Sequence, residues 1–264
     1  IDDFPLIVQS KAFDVLTQIA IATEEDTALF VNGTLNPYLD APAQVIRLRL
    51  LNGSSMRSYN FGFTADLPFK MIATEGGLLD SAITLTRIRL SPGERAEILV
   101  DLQGMNGQTT YLKNFGSELP NGIYGAATVI GMMGGTIPGY NLNPLNGADY
   151  NMLQINIGAP TTIPAPITAM PGTLITNTPW SFGSINVNRT IIFSPDTLGN
   201  AQAQVEGPFN INGFHFDMDS INVTTYLNNI EKWKLQNNTG IAHPFHIHDI
   251  QFFILNKNFR NLQS

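Results

Sequence analysis

Apolar and polar residues alternate along the first half of the chain in short runs. Val45-Ile46-Arg47-Leu48-Arg49-Leu50-Leu51-Asn52 sets apolar against charged side chains, the mark of a half-buried strand, and Asn52-Gly53 supplies a turn. Leu6 to Ile21 predicts strands around a turn, and Phe30-Val31-Asn32-Gly33-Thr34 has a turn signature. Phe69-Lys70-Met71-Ile72-Ala73 runs into Glu75-Gly76-Gly77, and Ser91-Pro92-Gly93-Glu94-Arg95 precedes Ala96-Glu97-Ile98-Leu99-Val100-Asp101. Strands at intervals of about ten residues, separated by turn residues, predict a sandwich or barrel over 1–157. Residues 158–184 carry Pro160, Pro164, Pro166, Pro171 and Pro179 and predict an extended connection. A second unit, 185–264, opens with Arg189-Thr190-Ile191-Ile192-Phe193, followed by Phe209-Asn210-Ile211-Asn212-Gly213. Ile230 to Asn237 alternates again, and the apolar run Ile250 to Leu255 predicts a buried strand.

Composition agrees with an all-β chain rich in turns. Of 264 residues only 13% are charged, whereas glycine (23) and proline (16) are frequent. The net charge of −7, without a basic block, argues against a nucleic-acid groove and an anionic membrane surface. No run of about eighteen apolar residues occurs, so no membrane span is predicted. Cysteine is absent, which excludes disulfides and cysteine-zinc sites.

Between the last alternating strand and the apolar run lies His243-Pro244-Phe245-His246-Ile247-His248, holding three of the chain's four histidines. In an extended strand alternate side chains share a face, placing His246 and His248 together at a spacing of roughly 6.5–7 Å. That spacing lets two imidazoles serve one metal or two adjacent metals. His243 lies beyond a proline that breaks a regular ladder, so its ring is free to aim elsewhere. Neutral imidazole suits zinc, copper, iron and nickel. A cupin would need a glutamate a few residues on, and Ile250 to Leu255 offers none. A metal-dependent barrel hydrolase would need later ligands, and few residues follow His248.

The pattern His-Pro-Phe-His-Ile-His-x-x-x-Phe-x-Ile-Leu resembles the first copper motif in the last cupredoxin domain of three-domain multicopper oxidases, the laccase, bilirubin oxidase and bacterial cuprous oxidase family. Ile1 to Gln9, Arg47 to Gly53 and Gly93 to Glu97 look like the middle domain of the bacterial members, which normally binds no copper. The resemblance implies two cupredoxin-like Greek-key barrels or sandwiches, the second incomplete. By it His243 is a type 1 copper ligand, while His246 and His248 belong to the trinuclear type 2/type 3 cluster. Asp249 stands where many members have glycine.

The family's type 1 site also needs a cysteine thiolate. In the family it comes from a later His-Cys-His motif, and further trinuclear ligands come from a first domain. The start carries no methionine or signal peptide, so the sequence is expected to be an internal piece of a longer protein. The implied partners are the remaining segments of that protein, namely the first cupredoxin domain and the His-Cys-His segment. Dioxygen and a small reducing substrate, phenol-like or a metal ion, complete the set. The implied activity is one-electron oxidation coupled to four-electron reduction of O2 to water, in the periplasm or outside the cell; the 264 residues alone are expected to be inactive. Two alternatives are a copper-free scaffold of the cell envelope and a copper-binding module without oxidase activity. A half-built second barrel would expose long unpaired edges, so its missing strands are expected from another chain or segment.

The remaining candidates read as structural. His215 is expected to be structural or on the surface, Met132 and Met133 to fill gaps, and Trp233 to pack in a core. Glu24-Glu25-Asp26 reads as a solvated acidic turn. Asp217, Asp219 and Asp249 are candidates for orienting a histidine ring, Asp249 foremost by adjacency.

Overall fold

The computed structural model describes residues 2–14, 16, 18–19, 26–131, 133–179, 181–257 and 260–261. Readings that concern Ala20, Ile21, Glu24, Glu25 and Met132 lie outside the described residues. Among the described residues the first unit is built from twelve strands: β1 (Asp3–Lys11), β2 (Ala28–Val31), β3 (Thr34–Leu35), β4 (Tyr38–Pro42), β5 (Val45–Asn52), β6 (Tyr59–Phe63), β7 (Phe69–Thr74), β8 (Gly77–Leu85), β9 (Ile88–Leu90), β10 (Arg95–Asp101), β11 (Thr109–Phe115) and β12 (Asp149–Gly158). They form a seven-stranded sheet in the order β3-β2-β1-β5-β10-β7-β8 and a five-stranded sheet in the order β4-β12-β11-β6-β9. Each sheet contains one parallel pair, β1 with β5 and β4 with β12. A parallel pair cannot be joined by a hairpin, so the chain crosses between sheets as a Greek-key fold does and a meander does not.

The alternation along Val45–Asn52 is realised side chain by side chain. Ile46, Leu48 and Leu50 are buried, while Arg47 and Arg49 point outward to Asp3. Across the sandwich they meet Phe61, Phe63, Leu112 and Ile155, in one continuous core with Ile98 and Val100. Each such side chain contributes about 1.5–3 kcal/mol through removal from water.

At one end of the sandwich, Asp26 is buried rather than solvated. The Arg57 guanidinium, 1% exposed, donates to it through Nε at 2.9 Å and also through Nη2. Ser10 and Asn143 donate to the same carboxylate. An acidic run reads as solvated until a distant cation neutralises one member inside the fold. This pairing holds the Arg57 pKa above its usual value, the hydrogen bond and charge of Asp26 outweighing burial.

The described residues between 159 and 181 carry no strand or helix beyond a single bridge between Ser81 and Thr173. They lie along the first unit and bond to it repeatedly. Thr161 N–H donates to Gln44 Oε1, Val45 N–H to the Ile167 carbonyl, and Gln103 Nε2 to the Thr168 carbonyl. Farther on, Ala82 N–H donates to Gly172, Leu174 N–H to Asp80, and Asn177 to the Asp80 carboxylate.

The second unit holds β13 (Ile185–Pro195), β14 (Phe209–Ile211) and β15 (Ile230–Asn237) in one sheet, order β14-β13-β15, with β13 and β15 parallel. One turn of helix, α1 (Ala203–Glu206), precedes β14. Two two-residue strands, β16 (Asn256–Lys257) and β17 (Arg260–Asn261), pair near the end. The fold is all-β, and the second sheet is open: Leu235, on β15, is 44% exposed. The expected buried strand over Ile250–Leu255 does not form. Its backbone is in no ladder, and Ile250, Phe252, Phe253 and Ile254 face solvent, since among the described residues no second sheet lies against them. Trp233, expected in a core, is half-buried on this sheet and donates its indole N–H to Glu231.

Candidate metal centre

The histidine segment leaves β15 at Asn237 and is anchored before it reaches the first ring. Gly240 N–H donates to the Gln204 carbonyl at 2.6 Å and Ala242 N–H to the Gly122 carbonyl at 2.7 Å. A Cβ at Gly240 would lie 2.6 Å from Gly131 Cα, so the close approach of two loops requires glycine there. Beneath this crossing Tyr124, Val129, Ile137, Tyr140 and Val205 form a small second core, with Ile241 packed against it. The segment is thereby bolted to the first unit.

From Ile241, at a bend, to His248, which opens a turn, burial alternates residue by residue, although among the described residues no neighbouring strand pairs with this stretch. Odd-numbered residues 243, 245 and 247 are half-buried, and even-numbered residues 246 and 248 are exposed. Parity therefore separates the three imidazoles: His243 faces one way, His246 and His248 the other. The His246 and His248 rings lie edge to face with centroids 4.8 Å apart. Imidazole nitrogen is a donor that copper, zinc, iron and nickel accept. Among the described residues no group of three or more His, Asp or Glu side chains gathers around a single point.

His243 sits in an aromatic slot. Its ring stacks on Phe193 with centroids 5.5 Å apart and meets Phe209 edge-on at 4.8 Å. Nε2 shares a 2.8 Å hydrogen bond with the Thr239 hydroxyl. Burial depresses the His243 pKa below its usual value, which keeps the ring neutral, the form that ligates metals.

A partner for the exposed pair comes from the first unit. Glu75, at the tip of the β7–β8 hairpin, places Oε2 3.1 Å from His246 Nδ1. Gln251 donates to the carbonyl of the next hairpin residue, Gly76. In the sequence Glu75 stands only as a turn residue before Gly76-Gly77. The only signal available was a carboxylate at the tip of a strand-turn-strand pattern.

Asp249, the adjacent candidate, is exposed with φ +61° and, among the described residues, bonds to neither ring. Asp217 is taken up by its own turn, accepting from Asp219 N–H and the Ser220 hydroxyl, which holds its pKa below the usual carboxylate value. Asp219 is exposed. His215, on the surface, pairs with Asp196 at 3.0 Å. Met133 is 52% exposed and so fills no gap.

Residues 189–264 match the family model described as multicopper oxidase. Over 96% of its length the chain is 31% identical to the multicopper oxidase mco of Staphylococcus haemolyticus, covering 46% of that protein. The chain belongs to the multicopper oxidase family. It is 29% identical over 98% of its length to the cell division protein FtsP of Photorhabdus laumondii, covering 49% of that relative. The chain thus spans about half the length of the curated relatives it matches. Among solved structures, McoA multicopper oxidase of Aquifex aeolicus superposes with TM-score 0.73 at 26% identity, over 100% of this chain and 54% of that one. A bacterial laccase-like multicopper oxidase from Ochrobactrum shares the fold at TM-score 0.67 and 23% identity, over 90% of this chain and 50% of that one. The cupredoxin-like architecture is that of this family, whose cofactor is copper.

Proposed function

We propose that this chain is the part of a multicopper oxidase that couples one-electron oxidation of a small reducing substrate to four-electron reduction of dioxygen. In this reading residues 1–157 are a barrel without copper ligands, 158–184 connect, and 185–264 begin the copper-binding barrel. The observation that carries it is the histidine geometry: His246 and His248 side by side on one face, with a neutral His243 on the other.

The donors present fit copper. All three are imidazoles, one is held in its neutral form by burial, and two converge on the same side. His243 would serve a type 1 site, and His246 and His248 the trinuclear cluster. Copper held there supplies one-electron redox chemistry, which lets single-electron donors be pooled until dioxygen is carried to water.

The residues around the rings then have definite tasks. Phe193 and Phe209 shield His243 from part of the solvent and fix its plane, while the Thr239 hydroxyl fixes its rotation. The Gly240 and Ala242 bonds hold the segment's entry, so the rings are aimed by packing as well as by their own rotamers. The type 1 thiolate and the other cluster ligands would come from further segments of the protein, which acts in the periplasm or outside the cell. Among the described residues no helix is long and apolar enough to cross a membrane.

A second reading is favoured by the FtsP relatives: a family scaffold serving cell division. Metal content separates the two. Copper measured in the complete purified protein, with oxygen uptake on adding a one-electron donor, is expected for the oxidase. Alanine at His246 or His248 should lower copper per protein and abolish oxygen uptake. Alanine at His243 should remove the blue absorption of a thiolate-bound copper. A complete protein that takes up no copper would leave the scaffold reading in its place.

A further inference from the structure

We propose that Glu75, carried by the copper-free unit, is the positioning residue for His246. Its carboxylate accepts the Nδ1–H, so that Nε2 is the nitrogen presented to copper. The inference rests on the reading of His246 as a ligand and adds to it a residue from the opposite unit.

Glu75 is held from behind. The β7–β8 hairpin closes in two residues, Glu75 and Gly76, because Thr74 pairs with Gly77, whose φ of +116° suits glycine. Oε1 accepts from Arg95 N–H at 3.3 Å and lies 3.6 Å from the Arg95 guanidinium. That leaves Oε2 directed at His246 Nδ1, 3.1 Å away.

An ionised carboxylate only accepts hydrogen bonds, so a neutral His246 bonded to it carries its proton on Nδ1. Nε2 then keeps a free lone pair. Metal-binding histidines are commonly oriented by a carboxylate on the second ring nitrogen, which sets both tautomer and ring plane. Gln251 grips Gly76 from the other side of the histidine pair, so consecutive hairpin residues hold the segment both at His246 and beyond His248. Asp249, in a left-handed turn, is exposed and among the described residues bonds to neither ring, so it does not take this part.

The test uses the complete protein labelled with 15N-histidine. Imidazole tautomers are read by two-bond proton–nitrogen correlation in the metal-free state, with the His246 signals assigned from a His246→Asn variant. The wild type should show His246 as the Nδ1–H form. Glu75→Ala should shift it toward the Nε2–H form that free imidazole prefers, and chelator competition should show copper bound roughly 10–100-fold more weakly. Glu75→Gln, which keeps an acceptor oxygen, should restore the Nδ1–H form. An unchanged tautomer and unchanged affinity in Glu75→Ala, or a wild-type His246 already protonated on Nε2, would overturn the role of Glu75 and leave the copper reading standing. Failure of the wild type to bind copper would overturn the copper reading itself, whatever the tautomer.

Discussion

The two halves of this chain use the same alternating strands and reach opposite ends of the burial scale. In the first unit Val45–Asn52 has a facing sheet, so each inward residue meets partners, and Leu48, Phe61 and Ile98 are fully buried. In the second unit Ile230–Asn237 alternates in the same way, yet Leu235 stays 44% exposed, since among the described residues no second sheet lies across from it. Alternation therefore specifies which face a strand would bury; whether it is buried depends on polypeptide elsewhere. Stability should be concentrated in the first unit, and the histidine segment draws its order from contacts with that unit as well as from Phe193, Phe209 and Thr239 of its own.

The largest test of the contrast lies in the first unit. Phe61→Ala, in the closed core, should cost about 3–5 kcal/mol in denaturant unfolding. Asp26→Ala should cost a similar amount, about 3–5 kcal/mol, because it strands a guanidinium that is 1% exposed. Gly240→Ala forces apart the crossing with Gly131. It should cost about 1–3 kcal/mol and lower copper occupancy of the complete protein, since the histidine segment enters there. Leu235→Ala should be nearly silent in these 264 residues, within about 0.5 kcal/mol. The same substitution in the complete protein sharpens the contrast. A cost there of about 2–5 kcal/mol would mean that another segment covers the sheet, whereas continued silence would remove the expectation of a completed barrel.

What could be read in the sequence followed from how local each cause was. The strand at Val45–Asn52 was legible because its period and its burial have one origin. The pairing of His246 with His248 was legible because two residues of separation place side chains on one face of any extended backbone. Ile250–Leu255 was misread because an apolar run is buried only where a partner exists. Asp26 was misread because the cation that buries it is 31 residues away, and acidic neighbours suggest solvent. Glu75 was invisible for the same reason at larger scale: it is 171 residues from the ring it touches, and no local pattern marks such a meeting. Asp249 drew attention by adjacency along the chain. Its φ of +61° gives a physical reason for glycine to stand there in relatives that have it.

The proline-rich connection has a consequence for handling the protein. By composition it is the place where a protease would be expected to cut. Instead its backbone is tied down at Ile167, Thr168, Gly172, Leu174 and Asn177. A protease needs several consecutive residues drawn out into its cleft, and each tie must be broken first. Limited digestion should therefore spare this stretch, and trimming attempts aimed at separating the two units should cut elsewhere first.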